Sequence, residues 1–326
     1  MVSRRDLLKA GAAAGAMASG LARAFAAAPM PATQVDFDVP RGACDSHVHV
    51  FPDPGQFPFS ASRVYTPPVA SAKELLGLQE FLHLDRVVIV TPSVYGTDNR
   101  ATLAGMRELG PQRARGVAVI DDKTPTETLN DMQKAGIRGV RVNLETTGEF
   151  DPAASAKKLL MAVERVNALG WHVQVYTRLS VIAALSDQLA SQPVPIVFDH
   201  FGGAHAELGT EQPGFSALVA LVQSGKAYVK ISGAYRASTK APDYADVAPL
   251  AKALIAANPE RIVWGSDWPH PDSSKVPGRT PQDIAPPMPV DDGRVMNLLQ
   301  SWTADAGTRR KILVENPARL YGFAPA

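Results

Sequence analysis

The chain has 326 residues, of which 45% are apolar and 20% are charged, and its formal net charge is +1. These proportions are typical of a folded globular protein and exclude a disordered, collagen-like or coiled-coil chain. The balance of 33 basic against 32 acidic side chains gives no support for a nucleic-acid partner. The single cysteine, Cys44, excludes an internal disulfide and any metal cluster held by several cysteines.

The beginning of the chain has the order of an export signal. Two paired arginines, Arg4 and Arg5, precede a small apolar run from Ala10 to Ala22, which is followed by Arg23 and the tripeptide Ala24-Phe25-Ala26. A charged start, an apolar middle and a small-residue end are typical of a cleaved signal peptide, and paired arginines favour the twin-arginine route. We therefore expect a signal peptide over residues 1–26, a single domain over residues 27–326 and a periplasmic location. No later apolar run is long enough to span a bilayer, so no membrane contact is expected after cleavage.

Short apolar runs bounded by turn residues predict eight strands that alternate with helical segments. The predicted strands are Gly42–Phe51, Arg86–Ser93, Arg115–Asp121, Ile137–Leu144, His172–Thr177, Pro195–Gly202, Ala227–Gly233 and Arg261–Pro269. The clearest predicted helices are Ser71–Leu82, Asn99–Leu109, Ala153–Leu169 and Tyr244–Ala257. Such alternation predicts a parallel sheet, and eight units match a (β/α)8 TIM barrel of about 250 residues. The alternative is an open, doubly wound sheet, but the first strand has no glycine-rich turn after it.

Polar residues collect at the ends of the predicted strands, where a barrel of this kind carries its chemistry. They are His47, His49, Ser93, Arg141, Asn143, Gln174, Tyr176, Asp199, His200, Ser232, Tyr235, Arg236 and Asp267. Residues two apart on a strand share a face, so His47 and His49 should point together, with Asp45 on the same face. His83, His172 and His205 lie elsewhere and are expected to be structural or solvated.

A long segment rich in Pro, Asp and Gly, Pro271–Asp292, follows the last predicted strand. It is expected to be a loop at the top of the barrel. It is either a lid over the site or a passive surface loop. Cys44 is expected to be a buried small side chain rather than a nucleophile, since no activating base stands next to it.

Several segments together resemble the amidohydrolase superfamily. They are Asp45-Ser-His47-Val-His49, Pro92-Ser93-Val-Tyr95, Gly139-Val-Arg141-Val-Asn143, Asp199-His200-Phe-Gly and Trp264-Gly-Ser-Asp267-Trp268-Pro269-His270. More narrowly, the set is similar to the branch that contains 2-pyrone-4,6-dicarboxylate hydrolase, 4-sulfomuconolactone hydrolase and galactarolactone isomerase. The resemblance extends from about residue 40 to residue 323 and implies a distorted (β/α)8 barrel.

The resemblance also implies a substrate and a role for each matching residue. The substrate would be a small lactone or cyclic ester that carries a carboxylate or a similar anionic group. Asp267 matches the base that activates water, and Tyr176 matches a tyrosine that helps to polarise the scissile carbonyl. The strand-one histidine pair is matched by His47 and His49, and the strand-six histidine by His200; we expect these histidines to donate hydrogen bonds to the developing oxyanion. The residues that match substrate contacts are Tyr65, Ser93, Arg141 and Arg236.

One stretch departs from the pyrone dicarboxylate hydrolase pattern. That enzyme has a further basic pair shortly after the strand-four arginine, whereas residues 144–149 of this chain contain Glu145 and Glu149. An arginine to bind a second carboxylate is therefore missing from this stretch. We expect a natural substrate other than pyrone dicarboxylate.

The metal-ligand pattern of the superfamily is incomplete in this sequence. Metal-bearing members supply ligands from strands four and five, where this chain has Arg141 and Tyr176. We therefore expect metal-independent hydrolysis without a cofactor. The alternative is one zinc ion held by His47, His49, His200 and Asp267, since imidazole and carboxylate are good zinc ligands. The alternative functions are then a zinc-dependent hydrolase or decarboxylase, a lactone isomerase, or a periplasmic binding protein without catalytic activity. The oligomeric state does not follow from the sequence.

Overall fold

Eight parallel strands follow one another around a barrel, each hydrogen-bonded to the next along the chain. The computed structural model describes residues 28–274, 276–303 and 305–326. The strands are β1 Cys44–Val48, β2 Arg86–Val90, β3 Ala114–Ala118, β4 Ile137–Asn143, β5 His172–Tyr176, β6 Ile196–Phe198, β7 Ala227–Ser232 and β8 Ile262–Gly265. A parallel bridge between Val48 and Trp268 joins the last strand to the first. The predicted (β/α)8 barrel is confirmed.

Helices connect the strands on the outside of the barrel. They are α1 Ala72–Phe81, α2 Arg100–Leu109, α3 Thr126–Ala135, α4 Pro152–Val166, α5 Leu179–Ala184, α6 Ser186–Ala190, α7 Phe215–Gln223, α8 Ala234–Ala237 and α9 Ala248–Ala257. After β8 come α10 Asp292–Trp302, α11 Ala306–Arg310 and α12 Asn316–Tyr321. The four clearest predicted helices are confirmed with small shifts at their ends. In α1 the shift arises because Ser71 is the N-cap, its side chain and that of Glu74 capping each other's backbone N–H.

The observed strands end earlier than the predicted ones, most clearly in β6 and β8. The residues just beyond these strands leave the extended conformation, and His200 and Asp267 have φ angles of 48° and 66°. Such left-handed conformations are unfavourable for residues other than glycine and cluster at functional sites. Because of these conformations, the side chains of His200 and Asp267 do not follow the alternating up-and-down pattern of a β-strand. The apolar pattern of the sequence alone does not show this.

Buried apolar side chains form two layers, one between the sheet and the surrounding helices and one inside the barrel. Val87 and Ile89 of β2 belong to the large outer cluster, which includes Leu75 and Leu78 of α1. The alternate residues of β2, Val88 and Val90, point to the opposite side of the sheet. There they pack in a smaller cluster with Cys44, Val117, Tyr321 and Phe323. Cys44 is therefore buried, as predicted. The C-terminal tail covers the barrel end at which the strands begin, because Phe323 stacks under Arg86 and Arg115.

An irregularity in β1 corrects one prediction about Asp45. The pairing register between β1 and β2 shifts between Asp45 and Val48, which is typical of a β-bulge. Asp45 pairs with the outward-facing Val87, and its Oδ1 accepts hydrogen bonds from the backbone N–H groups of His47 and Ser266. Asp45 therefore does not share the face of the two histidines. The bulge reverses the alternation on which that prediction depended.

Candidate active site

Asp267 lies at the centre of a buried polar cluster at the C-terminal ends of the strands. Its Oδ2 accepts a hydrogen bond from Tyr235 Oη at 2.6 Å and one from Arg236 Nε at 2.5 Å. Its Oδ1 lies 3.6 Å from His47 Nε2 and 3.5 Å from His49 Nε2. Burial alone would raise the pKa of Asp267, but the Arg236 cation and the neighbouring histidines hold this pKa well below its usual value. Asp267 is therefore a carboxylate with one oxygen fixed and one directed at the histidine pair.

His47 stands between two buried carboxylates. Its Nε2 faces Asp267, while its Nδ1 lies 3.2 Å from Asp199 Oδ1 and 3.3 Å from Lys230 Nζ. Burial and the Lys230 cation lower the pKa of His47 well below its usual value, so the imidazole is neutral. Only glycine fits beside this residue at position 265, because a Cβ there would lie 2.8 Å from the His47 backbone nitrogen.

Asp199 and Lys230 form a second layer beneath the cluster. Asp199 Oδ2 accepts hydrogen bonds from Arg141 Nε and Gln174 Nε2, both at 3.0 Å. Lys230 Nζ donates to Gln174 Oε1 at 2.6 Å and to the backbone oxygen of Ser46 at 2.9 Å. Burial lowers the pKa of Lys230 to about 8, although the Asp199 carboxylate opposes this decrease. These hydrogen bonds fix the position of the Asp199 carboxylate, and through its contact with Nδ1 they also fix the orientation of the His47 ring.

His200 and Tyr176 lie next to each other on the other side of Asp267. His200 Nε2 is 3.8 Å from Asp267 Oδ2, and its Nδ1 lies 3.0 Å from Ser232 Oγ. The Tyr176 ring meets the His200 ring edge-on at 4.9 Å. Burial lowers the pKa of His200 to about 4, so this histidine is neutral at physiological pH. Burial raises the pKa of Tyr176 and the negative charge of Asp267 adds to the increase, so both side chains lie near the carboxylate.

The predicted substrate contacts also converge on this end of the barrel. The guanidinium carbon of Arg141 lies over the Tyr176 ring, 5.3 Å from its centre. Tyr65 is buried, and burial raises its pKa to about 12, while its contact with Ser93 and the nearby Arg236 cation oppose the increase. The structure therefore brings all nine predicted site residues together. Their individual roles stay predictions.

A cavity of about 830 Å³ opens above the cluster. Tyr176, Tyr235 and Arg236 form its inner wall. The long segment Pro271–Asp292 supplies part of the outer wall, and its Ala285 N–H donates to the backbone oxygen of Thr66 at 2.8 Å. The segment thus lies over the site as expected, and its closure on a substrate stays a prediction.

The donor set around Asp267 Oδ1 also fits a single metal ion. His47 Nε2 and Asp267 Oδ1 are buried and have no hydrogen-bond partner among the described residues. The Nδ1 of His49 lies 2.7 Å from the backbone oxygen of Val90, a contact that turns Nε2 toward Asp267. The separations of 3.5 and 3.6 Å are close to the roughly 3.4 Å between ligand atoms of a tetrahedral zinc site. These three residues could therefore hold a divalent ion, with His200 as a neighbour.

Three members of the cluster were not predicted as site residues: Asp199, Lys230 and Tyr235. The sequence does contain a signal for Lys230, because a lysine within the apolar run of a buried strand must form hydrogen bonds or ion pairs with buried acceptors. Asp199 and Tyr235 stood among the strand-end residues, but the sequence did not reveal that they would contact His47 and Asp267.

Comparison with known proteins agrees with this geometry. The amidohydrolase family model matches residues 44–323. The chain is 35% identical to 4-sulfomuconolactone hydrolase of Hydrogenophaga intermedia, over 88% of this chain and 90% of that protein. It is 32% identical to D-galactarolactone isomerase of Agrobacterium fabrum, over 88% of this chain and 93% of that protein. An apo crystal structure of an Agrobacterium tumefaciens protein, 30% identical in sequence, superposes with a TM-score of 0.78. The match covers 91% of this chain and 100% of that chain.

The export signal is supported by a separate match. The twin-arginine signal model covers residues 1–20, which lie outside the described residues, as does the predicted cleavage after Ala26. Within the described part of the chain, no helix is long and apolar enough to cross a membrane. The chain therefore belongs to the amidohydrolase family and is a hydrolase that the twin-arginine pathway exports to the periplasm.

Proposed function

We propose that this enzyme opens a lactone that carries an anionic group, with Asp267 as the general base. The observation that carries the proposal is the asymmetric environment of the Asp267 carboxylate. Oδ2 is held by Arg236 and Tyr235, so Oδ1 alone is left to accept a proton. Relatives that act on lactones, covering about nine-tenths of the chain, support the choice of substrate.

The proposed reaction begins with a water molecule next to Asp267 Oδ1. As the water oxygen bonds to the lactone carbonyl carbon, one of its protons passes to Oδ1. The ring C–O bond of the resulting tetrahedral intermediate then breaks, and the leaving oxygen takes the proton from Oδ1. General-base catalysis of this kind contributes about 10²–10⁴-fold to the rate.

Neutral donors next to the carboxylate would stabilise the developing oxyanion. Tyr176 and His200 are adjacent and close to Asp267, so the carbonyl oxygen can lie between them and the water. A well-placed donor of this type contributes roughly 3–4 kcal/mol to transition-state stabilisation.

Two arginines supply the site for the anionic group. The Nε of Arg141 donates a hydrogen bond to Asp199, and the Nε of Arg236 donates one to Asp267. No further side-chain hydrogen bond of Arg141 is found among the described residues, so both its Nη groups are available to a substrate anion. Charge-assisted hydrogen bonds to such a group would fix the ring before the reaction.

The tautomer of His47 separates metal-free chemistry from a metal-assisted alternative. If Lys230 donates to His47 Nδ1, then Nε2 carries the proton and can donate to Asp267 Oδ1. If instead Nδ1–H points to Asp199, then His47 Nε2, His49 Nε2 and Asp267 Oδ1 are three converging acceptors that suit a divalent ion. Such an ion, when bound, would polarise a carbonyl or lower the pKa of water. We propose the metal-free form, because Lys230 and Arg236 already bring positive charge to the cluster.

The proposal is tested with a panel of γ- and δ-lactones, with and without a carboxylate, by following acid release at constant pH. We expect ring opening of the carboxylated lactones, and a steep increase in KM for them in Arg141→Met. The control Arg138→Met removes the other arginine of β4, which is half-buried and whose Nη1 donates to backbone oxygens. Absence of turnover throughout the panel would contradict the proposal.

A lactone isomerase is the second candidate, favoured by the match to D-galactarolactone isomerase. Reaction in H2¹⁸O separates the two functions. A hydrolase places one ¹⁸O atom in the acid product, whereas an isomerase yields a second lactone without ¹⁸O.

A further inference from the structure

The charged side chains of the site lie in two zones, an inner zone formed by the buried cluster beneath the cavity and an outer zone formed by the cavity wall. The inner zone contains three cations, Arg141, Lys230 and Arg236, which face two carboxylates, Asp199 and Asp267. Burial lowers the pKa of His47 and of His200, which contact these carboxylates. Counted over its arginine, lysine and aspartate side chains, the inner zone has an excess of one positive charge, which matches one anionic group on a substrate.

In the outer zone each arginine already has a carboxylate partner. Arg178 Nε lies 3.0 Å from Glu145 Oε2, and its Nη2 lies 3.0 Å from Glu145 Oε1. Arg279 Nη1 lies 2.8 Å from Asp272 Oδ2. All four side chains line the cavity of about 830 Å³. Among the lining residues that the structure describes, the outer zone has no net charge.

We propose that this cavity selects a substrate with a single anionic group, and that Glu145 excludes a second one by occupying Arg178. The inference rests on the proposed function for the reaction that follows binding. The anionic group lies in the inner zone, and the rest of the substrate is uncharged and polar. Residues that carry hydroxyl groups line the corresponding part of the outer wall, namely Thr146, Thr147, Ser273, Ser274 and Thr280.

Glu145 is held in this position by the backbone. Its N–H donates to the backbone oxygen of Tyr176 at 3.1 Å, at the end of β5. The side chain of Asn143 bonds both the backbone N–H and the hydroxyl of Thr146, at 3.0 Å each. A second substrate carboxylate would therefore meet a fixed negative charge, and such a repulsive element gives specificity against the wrong ligand.

Arg178 is held independently of Glu145. Its guanidinium lies 3.7 Å from the ring centre of Phe150, which is a cation–π contact. Replacing Glu145 by the uncharged, isosteric glutamine should leave Arg178 in place and expose its charge to the cavity. The Glu145→Gln variant should then gain affinity for ligands with two carboxylates and for no others.

The test measures binding of two inert five-membered rings, 2-furoate with one carboxylate and furan-2,5-dicarboxylate with two, by titration calorimetry. The wild-type protein should bind 2-furoate more tightly. Glu145→Gln should tighten binding of the dicarboxylate by about threefold, a modest gain because the Arg178 side chain is 53% exposed. Glu145→Gln combined with Arg178→Gln should lose the gain. The control is Glu149→Gln, because Glu149 pairs with Lys158 at 3.2 Å and should leave both affinities unchanged.

Tighter binding of the dicarboxylate by the wild-type protein would overturn the proposal. So would an unchanged dicarboxylate affinity in Glu145→Gln, or failure of both acids to bind at millimolar concentration. Because the readout is binding rather than turnover, it remains decisive if the lactone assay shows no activity. Loss of the proposed function and loss of the inferred selectivity are therefore separate results.

Discussion

The Arg236 Nε lies 2.5 Å from Asp267 Oδ2, so the carboxylate at the centre of the site has a permanent cationic partner. This pairing fixes the orientation of Asp267 and lowers its pKa. It also leaves Oδ1 as the reactive oxygen.

Arg236→Met is expected to raise the pKa of Asp267, because the largest opposing effect to burial is lost. A general base works in its ionised form, so the acid limb of the pH profile of kcat/KM should move to higher pH. Measurement from pH 4 to pH 9 on a carboxylated lactone checks this. Arg178→Met is the matched control, since Arg178 lines the same cavity but pairs with Glu145, and its acid limb should match that of the wild type. An unshifted limb in Arg236→Met would contradict the account.

Lys230→Met should lower the free energy of unfolding by about 3–5 kcal/mol, since it leaves a buried carboxylate and two acceptors without their cation. The acceptors are Gln174 Oε1 and the backbone oxygen of Ser46. Urea unfolding measures the change, with the surface variant Lys158→Met expected within about 0.5 kcal/mol of the wild type. A loss below 1 kcal/mol would show that Lys230 does not support the buried layer.

His172 should make the protein sensitive to acid. Burial lowers its pKa from the ordinary 6.5 to about 3, and neither ring nitrogen has a partner among the described residues. Between these two values the unfolded chain binds a proton that the folded chain does not, so stability falls as the pH falls through this window. His172→Phe should therefore lose less stability than the wild type between pH 7 and pH 4 in urea unfolding. His205→Ala, at an exposed position, should retain the wild-type dependence, and an equal slope in His172→Phe would refute this origin.

Metal content is predicted to be well below one ion per chain, with activity resistant to a chelator. Elemental mass spectrometry and the lactone assay on one sample measure both quantities. About one zinc per chain and loss of activity with chelator would instead make His47, His49 and Asp267 ligands, with His200 as a further candidate. The fold and the position of the site would be unchanged by that result.

The sequence was sufficient to predict the barrel, since eight apolar runs alternating with helices leave few other architectures. It also placed His47, His49, His200 and Asp267 at one end, because strand ends meet there. It could not show the bulge that turns Asp45 outward, since the apolar pattern around a bulge is that of a regular strand. The pairing of Arg178 with Glu145 was likewise inaccessible, because the two residues are brought together only by the neighbouring ends of β4 and β5.

The most direct test of Asp267 as the general base is the kcat of Asp267→Asn on a carboxylated lactone, with 2-furoate binding measured on the same variant. The account predicts a decrease in kcat of at least about a hundredfold with the furoate affinity retained, since asparagine keeps the shape but cannot take the proton. A kcat within about threefold of the wild type would show that another group activates the water and would contradict the central assignment.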